Sequence, residues 1–373
     1  MGYMVKSAVK GGNSKIVVRG IGGLTVLGTG LYLAYSETIP YSQRRHLVYM
    51  STKEECELSE DAVSQILEHE RSNILAESQD EVKTVKRVAN HIIRVCRDDG
   101  VVSPHIDFKL HVIDSPVKNA FVLPNGNIFV YTGLLSITQT EAGLAAVIGH
   151  EISHALARHS AEKMTLFRLL ILYYEFLRGF GEAWHRGSWR DVLLEFVAIT
   201  VLQVGLPLAY SREMESEADR IGVLLVAKAG YDPRHAATIW KRMLALEGKV
   251  GEADADAERS TTTITVKTKI KELLSTHPCH ERRIIDLEKY GQELFGDYET
   301  VVRRMELEGI PIPESDRVVG PTKKGNMFGD EDICDYDESS LASASLAANC
   351  SALMVGRPYE EDIWKITHLL RRT

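Results

Sequence analysis

Apolar residues recur at helical spacing between positions 59 and 97. Val63, Ile66 and Leu67 make one stripe, and Val82, Val85, Val88, Ile92 and Val95 make a second at steps of three and four. Residues 107–114 then alternate, with Phe108, Leu110 and Val112 on one side. A second extended run, Asn127–Tyr131, follows Pro124-Asn125-Gly126, a hairpin turn signal. Helical spacing resumes at Thr140 and runs through Leu144, Val147 and Ile148. Asp232-Pro233 reads as an N-cap with proline at the first helical position, opening a helix to about Leu246. Thr276-His277-Pro278 repeats that signal ahead of Ile284, Leu287 and Tyr290. The pattern predicts a mainly α chain with a small β-sheet, an α+β fold.

The two ends read differently. Residues 20–35 carry no charge, but at ~1.5 Å per residue they cover only about 24 Å of a ~30 Å hydrocarbon core. Including Ile16–Val18 and letting Arg19 reach the interface makes 16–35 a transmembrane anchor, with Tyr32 and Tyr35 near one end. The alternative is a secretory segment removed on maturation; Ser36-Glu37-Thr38-Ile39-Pro40 offers no small-residue cleavage pattern after it. A second apolar run, 192–210, is interrupted by Glu195, Gln203 and Pro207, and is expected to be a buried or membrane-facing helix of the folded domain. Residues 330–338 hold six acids in nine positions, so 298–373 is expected to be an acidic, partly disordered tail, with a short amphipathic helix at 359–373.

Composition narrows the function. The 373 residues are 44% hydrophobic and 26% charged, ordinary globular usage. The net charge of −8 argues against a nucleic-acid partner. Within 1–46, six bases face one acid, Glu37, and residues 1–15 are basic and acid-free, as targeting segments often are. Five cysteines without a CxxC pair make neither a disulfide scaffold nor a cysteine zinc site.

The sharpest chemical signal is His150-Glu151-Ile152-Ser153-His154. On a helix the two histidines lie one turn apart on one face, where a single zinc can take both. Glu151, about 100° round, is placed to hold the attacking water without being a ligand. His159, nine residues after His150, is expected to point to the far side of that helix. An HExxHxxGxxH site fails, since Ala157 and Ser160 stand at the glycine and third-histidine positions. The third ligand is sought in residues 211–222. Glu215 and Asp219 are four apart on one helical face, with Ala218 and Gly222 keeping that face thin. Glu215 would complete a His₂Glu site with one open position, and Asp219 would accept the second ring N–H of a ligand histidine. Glu213 and Glu217 are expected to be a solvated acidic face.

HExxH followed by Ser211-Arg212, Glu215, Glu217-Ala218-Asp219 resembles the membrane-associated zinc peptidases that include HtpX and the CAAX prenyl proteases. Residues 119–135 are similar to that family's strand pair before the active helix, and Ser275-Thr276-His277-Pro278 with Arg283-Ile284 is similar to a later element. Residues 39–46 behind a single anchor resemble one branch, the mitochondrial inner-membrane stress proteases. The resemblance spans about 37–290. It implies a gluzincin-type metallopeptidase domain at 37–297, one Zn2+ per chain on His150, His154 and Glu215, Glu151 as catalytic base, and Asp219 behind the ligands. It also places His277 and Arg283 near the cleft, as oxyanion or metal-side groups, or as a helix cap and a salt bridge. The expected partners are protein substrates, membrane-anchored or misfolded, and the membrane itself, with a homo-oligomer left open. A strand carrying Phe121 or Ile128 would bind substrate by edge pairing. Lys6, Lys10, Lys15 and Arg19 ahead of the anchor would hold the N-terminus in the matrix, so that the catalytic domain faces the intermembrane space. The rival expectation is a zinc-fold membrane chaperone or scaffold without turnover, against which the intact Glu151 argues.

Overall fold

The computed structural model describes Val26 and residues 28–184, 206–256 and 281–319. The basic segment 1–15, most of the expected anchor, residues 192–205, the Thr276-His277-Pro278 turn and the acidic run at 330–338 lie outside the described residues. Residues 28–35 are helical and exposed. They lead into β1 (Ser36–Thr38), which pairs antiparallel with β2 (Arg45–Leu47). Among the described residues, no helix is long and apolar enough to cross a membrane.

Two helices follow. In α1 (Thr52–His69) the Ser51 hydroxyl and the Glu54 carboxylate cap each other's backbone N–H. In α2 (Asp80–Asp98) the expected stripe is the buried one, with Val82, Val85, Val88 and Ile92 all inside. A three-stranded sheet comes next: β3 (Lys109–Ile113), β4 (Ala120–Val122) and β5 (Asn127–Tyr131), in the order β3-β5-β4. Strand β5 is parallel to β3 and antiparallel to β4, so the expected hairpin is present. Gly126 turns it at φ 91°, where an added Cβ would come 2.8 Å from the Asp107 carbonyl oxygen. Ile128 lies in the central strand, whose hydrogen-bonding sides are both taken. It cannot offer a substrate an edge, which corrects half of the edge-pairing expectation. Strand β4, with Phe121, can.

Every residue of β5 is buried, because both faces of the sheet are covered. Ile128 and Val130 enter the larger core with α2, while Phe129 and Tyr131 enter a second core with Ala62 and Ile66 of α1. Beyond the short α3 (Leu135–Thr138), the left-handed Gln139 (φ 58°) turns the chain into α4 (Glu141–Leu156). Its N-cap, Thr140, accepts from the Gly143 N–H. Helix α4 carries the HExxH sequence and is almost wholly buried. Around it run α5 (His159–Trp184), α6 (Leu206–Lys228), α7 (His235–Asp256) and α8 (Glu281–Glu293), with α9 (Phe295–Glu308) packed on α6 and α8. Helix α6 is its most extensive neighbour.

Two boundaries differ from the sequence reading. Asp232 does cap, accepting from the Arg234 N–H at 2.9 Å, but the helix starts only at His235 and runs to Asp256. Helix α9 continues past residue 297, where the sequence marks the edge of the peptidase domain. The chain after it returns to the start of α4, where Glu141 N–H donates to Arg317 O and Val319 N–H to Gln139 O, both at 2.9 Å. Buried Glu141, paired with Arg87 at 2.6 Å, is the charged group that this return covers.

Candidate metal centre

Helices α4 and α6 cross where both chains are glycine. A Cβ on Gly149 would sit 3.1 Å from the Gly222 carbonyl oxygen, so the helices approach backbone to backbone. That closeness brings His150 and His154 of α4 to Glu215 of α6. The two histidine Nε2 atoms are 3.1 Å apart, and Glu215 oxygens lie 3.3 Å from His150 Nε2 and 3.5 Å from His154 Nε2. Donors on a tetrahedron with bonds of about 2.0–2.1 Å sit about 3.3–3.4 Å from one another. The three side chains therefore fit one metal ion, all their donor atoms lying within 4.8 Å. Glu151, the next residue on α4, is buried beside them.

Behind the donors, each group has a fixed partner. Asp219, one turn after Glu215, faces His150 Nδ1 at 2.9 Å. Arg283 of α8 grips Asp219 with two nitrogens, at 2.5 and 2.8 Å, and reaches Glu215 at 3.2 Å. The guanidinium lies 3.6 Å over the ring of Trp240 on α7, which meets His150 edge-on. Burial alone would raise the Asp219 carboxyl, but Arg283 and His150 more than reverse this and hold it below the ordinary carboxylate range. Burial alone would lower His150, yet its hydrogen bonds to Asp219 and Glu215 bring it up to about 9.

Arg283 thus sits on the donor cluster as a clamp on Asp219, nearer to the salt-bridge alternative than to a group facing the cleft. His277 lies outside the described residues. Two other expectations are corrected. The active helix ends at Leu156, and Arg158 takes a left-handed conformation (φ 54°), so His159 opens a new helix and turns back. Its ring stands against His154, not on the far side. Glu217 is not solvated: only 8% of its side chain is exposed, and it pairs with His159 and Arg44. Burial would raise its carboxyl, but these partners and Ser42 hold it down to about 2. Glu213 is exposed as expected. Nothing in the residue pattern singled out Trp240, whose role depends on the neighbour above it.

The profile of peptidase family M48 matches residues 80–291, more than half of the chain. The chain belongs to peptidase family M48. It is a metalloprotease, and the family carries a catalytic metal, for which the His150, His154 and Glu215 cluster is the candidate site. Among M48 relatives, the mitochondrial metalloendopeptidase OMA1 of Schizosaccharomyces pombe is 35% identical over 276 residues, 73% of this chain and 71% of the relative. The human mitochondrial metalloendopeptidase OMA1 is 31% identical over 287 residues, 77% of this chain and 51% of the relative. The β-barrel assembly-enhancing protease of Escherichia coli is 26% identical over 197 residues, 50% of this chain and 35% of the relative. This M48 chain spans about half the length of the bovine and human relatives it matches.

Proposed function

We propose that this M48 peptidase is a zinc-dependent metalloendopeptidase of the mitochondrial inner membrane, acting on membrane-anchored or misfolded proteins in quality control. The observation that carries the reading is the convergence of His150, His154 and Glu215, with Glu151 one residue from the first ligand. Two nitrogens and one carboxylate with an open fourth position are the donor set of catalytic zinc. Bound there, zinc would supply Lewis-acid polarisation of the scissile carbonyl and a lowered water pKa. Glu151 takes the proton of the attacking water and returns it to the leaving amine nitrogen. Asp219, clamped by Arg283, fixes the His150 ring so that its Nε2 faces the site.

Substrate would lie extended along the open side of β4, read through its backbone. That the fungal and human relatives are mitochondrial metalloendopeptidases supports the mitochondrial placement. The apolar segment 16–35 and its basic flank support a membrane anchor with the catalytic domain that follows it in the intermembrane space. The test is cleavage of a flexible protein substrate with zinc content measured in parallel. One zinc per chain with cleavage supports the reading; one zinc with no cleavage of any flexible substrate favours the scaffold. Placement is tested by protease protection after selective rupture of the outer membrane, where a catalytic domain still protected would sit in the matrix.

A further inference from the structure

His154 presents its second ring nitrogen to another histidine. His159 Nδ1 is 2.7 Å from His154 Nδ1, and His159 Nε2 is 3.1 Å from a Glu217 oxygen. The Ser42 hydroxyl donates to Glu217, and Arg44 Nε donates to it at 2.8 Å. Arg44 donates its other two nitrogens to Glu162, at 2.7 and 2.6 Å, and one of them also lies 2.8 Å from Glu217. The chain of contacts is largely dry, with the side chains of His159, Glu162 and Glu217 exposed by 2%, 1% and 8%. It begins in the turn between β1 and β2, more than a hundred residues before the ligand it reaches.

The hydrogen positions in such a chain are not free. If His154 binds metal through Nε2, its Nδ1 keeps the hydrogen and must donate. His159 Nδ1 must then accept, which leaves the His159 hydrogen on Nε2, pointing at Glu217. One carboxylate, paired with Arg44 and facing the His159 Nε2 as an acceptor, selects the tautomer of both rings. We propose that His159, Glu217 and Arg44 form a positioning relay that fixes the His154 ring and makes the β1–β2 strand pair part of the support of the metal centre. The proposal rests on the reading of His150, His154 and Glu215 as the metal ligands. Its consequence is that metal affinity depends on docking of the segment that follows residues 28–35, although that segment supplies no ligand.

The experiment measures zinc affinity of the full chain by competition with a chromophoric chelator, with thermal unfolding of the metal-free chain as the folding check. His159→Phe keeps an aromatic ring but no nitrogen, and is expected to weaken zinc about 10–100-fold. Arg44→Ala is expected to weaken it about tenfold, and to have no further effect once His159→Phe is present. Unchanged affinity in His159→Phe, or losses that simply multiply in the double variant, would overturn the relay. Where Arg44→Ala does not fold, Glu217→Gln keeps the shape and removes the charge; the same tenfold loss is expected, and unchanged affinity there would equally overturn the relay. Glu215→Ala separates the two ideas: wild-type zinc affinity there overturns the ligand assignment itself, whatever His159 does.

Discussion

Gly222 rests so closely on His150 that a methyl group there would lie 2.9 Å from the histidine's backbone nitrogen and 3.0 Å from its Cα. Both contacts are backbone, so no side chain can swing away to make room. Helix α6 would have to move off α4 and carry Glu215, two turns earlier, away from the histidines. Gly222→Ala should therefore destabilise the fold by about 1–3 kcal/mol from overpacking, partly offset by the ~1 kcal/mol that alanine gains over glycine in a helix. It should also weaken zinc binding. Thermal unfolding without metal and chelator competition with it give the two answers, and a variant with wild-type zinc affinity would show that the helices can separate without cost to the site.

That close approach is legible in the sequence, and so is the cluster of His150, His154 and Glu215. The spacing of His150 and His154, and of Glu215 and Asp219, is local, and a 3.6-residue period converts it directly into a shared face. Ala218 and Gly222 added that the second face is thin. Glu217 shows where such reasoning stops. Its burial is set by Arg44, 173 positions earlier, and no periodicity connects them; in the sequence Arg44 counts toward an excess of positive charge and toward the 39–46 resemblance, and neither ties it to Glu217. His159 departs from its expected side for a local reason, a left-handed turn at Arg158 within a run that reads as unbroken helix. The small β1–β2 sheet leaves no pattern in the sequence, because three-residue strands are too short to show alternation.

Glu151→Gln should slow cleavage by about 100- to 10,000-fold, the ordinary worth of a positioned base. The amide has the same shape but cannot take the water's proton. Zinc content should stay near one per chain, because Glu151 is not among the converging donors. Undiminished cleavage at full zinc loading would falsify the assignment of the base.

Removing a donor should look different. Glu215→Ala leaves two imidazoles, a weak site, so metal and activity should be lost together. Asp219→Asn should be milder, costing about 10–100-fold in zinc affinity or activity, although it also leaves Arg283 with a neutral partner. Metal analysis after dialysis against a weak chelator distinguishes the two. If Glu215→Ala retains its zinc, the third ligand is another residue.

His46 supplies a pH dependence. Its ring is buried between two carboxylates, with Nδ1 3.0 Å from Glu162 and Nε2 3.1 Å from Glu37. Burial alone would lower its pKa, but the two acids outweigh that and raise it above the ordinary 6.5, even while Arg44 and Arg158 compete for the same oxygens. A raised folded pKa means that the stabilisation is fully present below about 6.5 and fades as pH rises through the folded value. Urea unfolding of the metal-free chain should show wild type losing more stability than His46→Gln between about pH 6 and pH 8. Parallel losses in the two proteins would mean that the ring is already neutral in the folded chain.

The open side of β4 can be tested one backbone donor at a time. Leu123 N–H donates to Asn127 O, and Tyr131 N–H donates to Asn119 O. The strands pair with Phe121 opposite Phe129, so the odd-numbered residues of this segment bond to β5. In an antiparallel ladder the residues between them turn their N–H and C=O the other way, which leaves Ala120 and Val122 facing the edge. Val122→Pro deletes one outward donor and no ladder bond, and proline is tolerated on an edge strand with that orientation. The variant should keep its zinc and most of its stability, while kcat/KM on an extended peptide falls by about tenfold, the worth of one hydrogen bond of about 1.4 kcal/mol. Phe121→Pro is the contrasting case, since it removes a ladder bond to β5 and should lower the melting temperature instead. Equal kinetics in Val122→Pro and wild type would mean that substrate does not pair with this edge, and would leave the metal chemistry untouched.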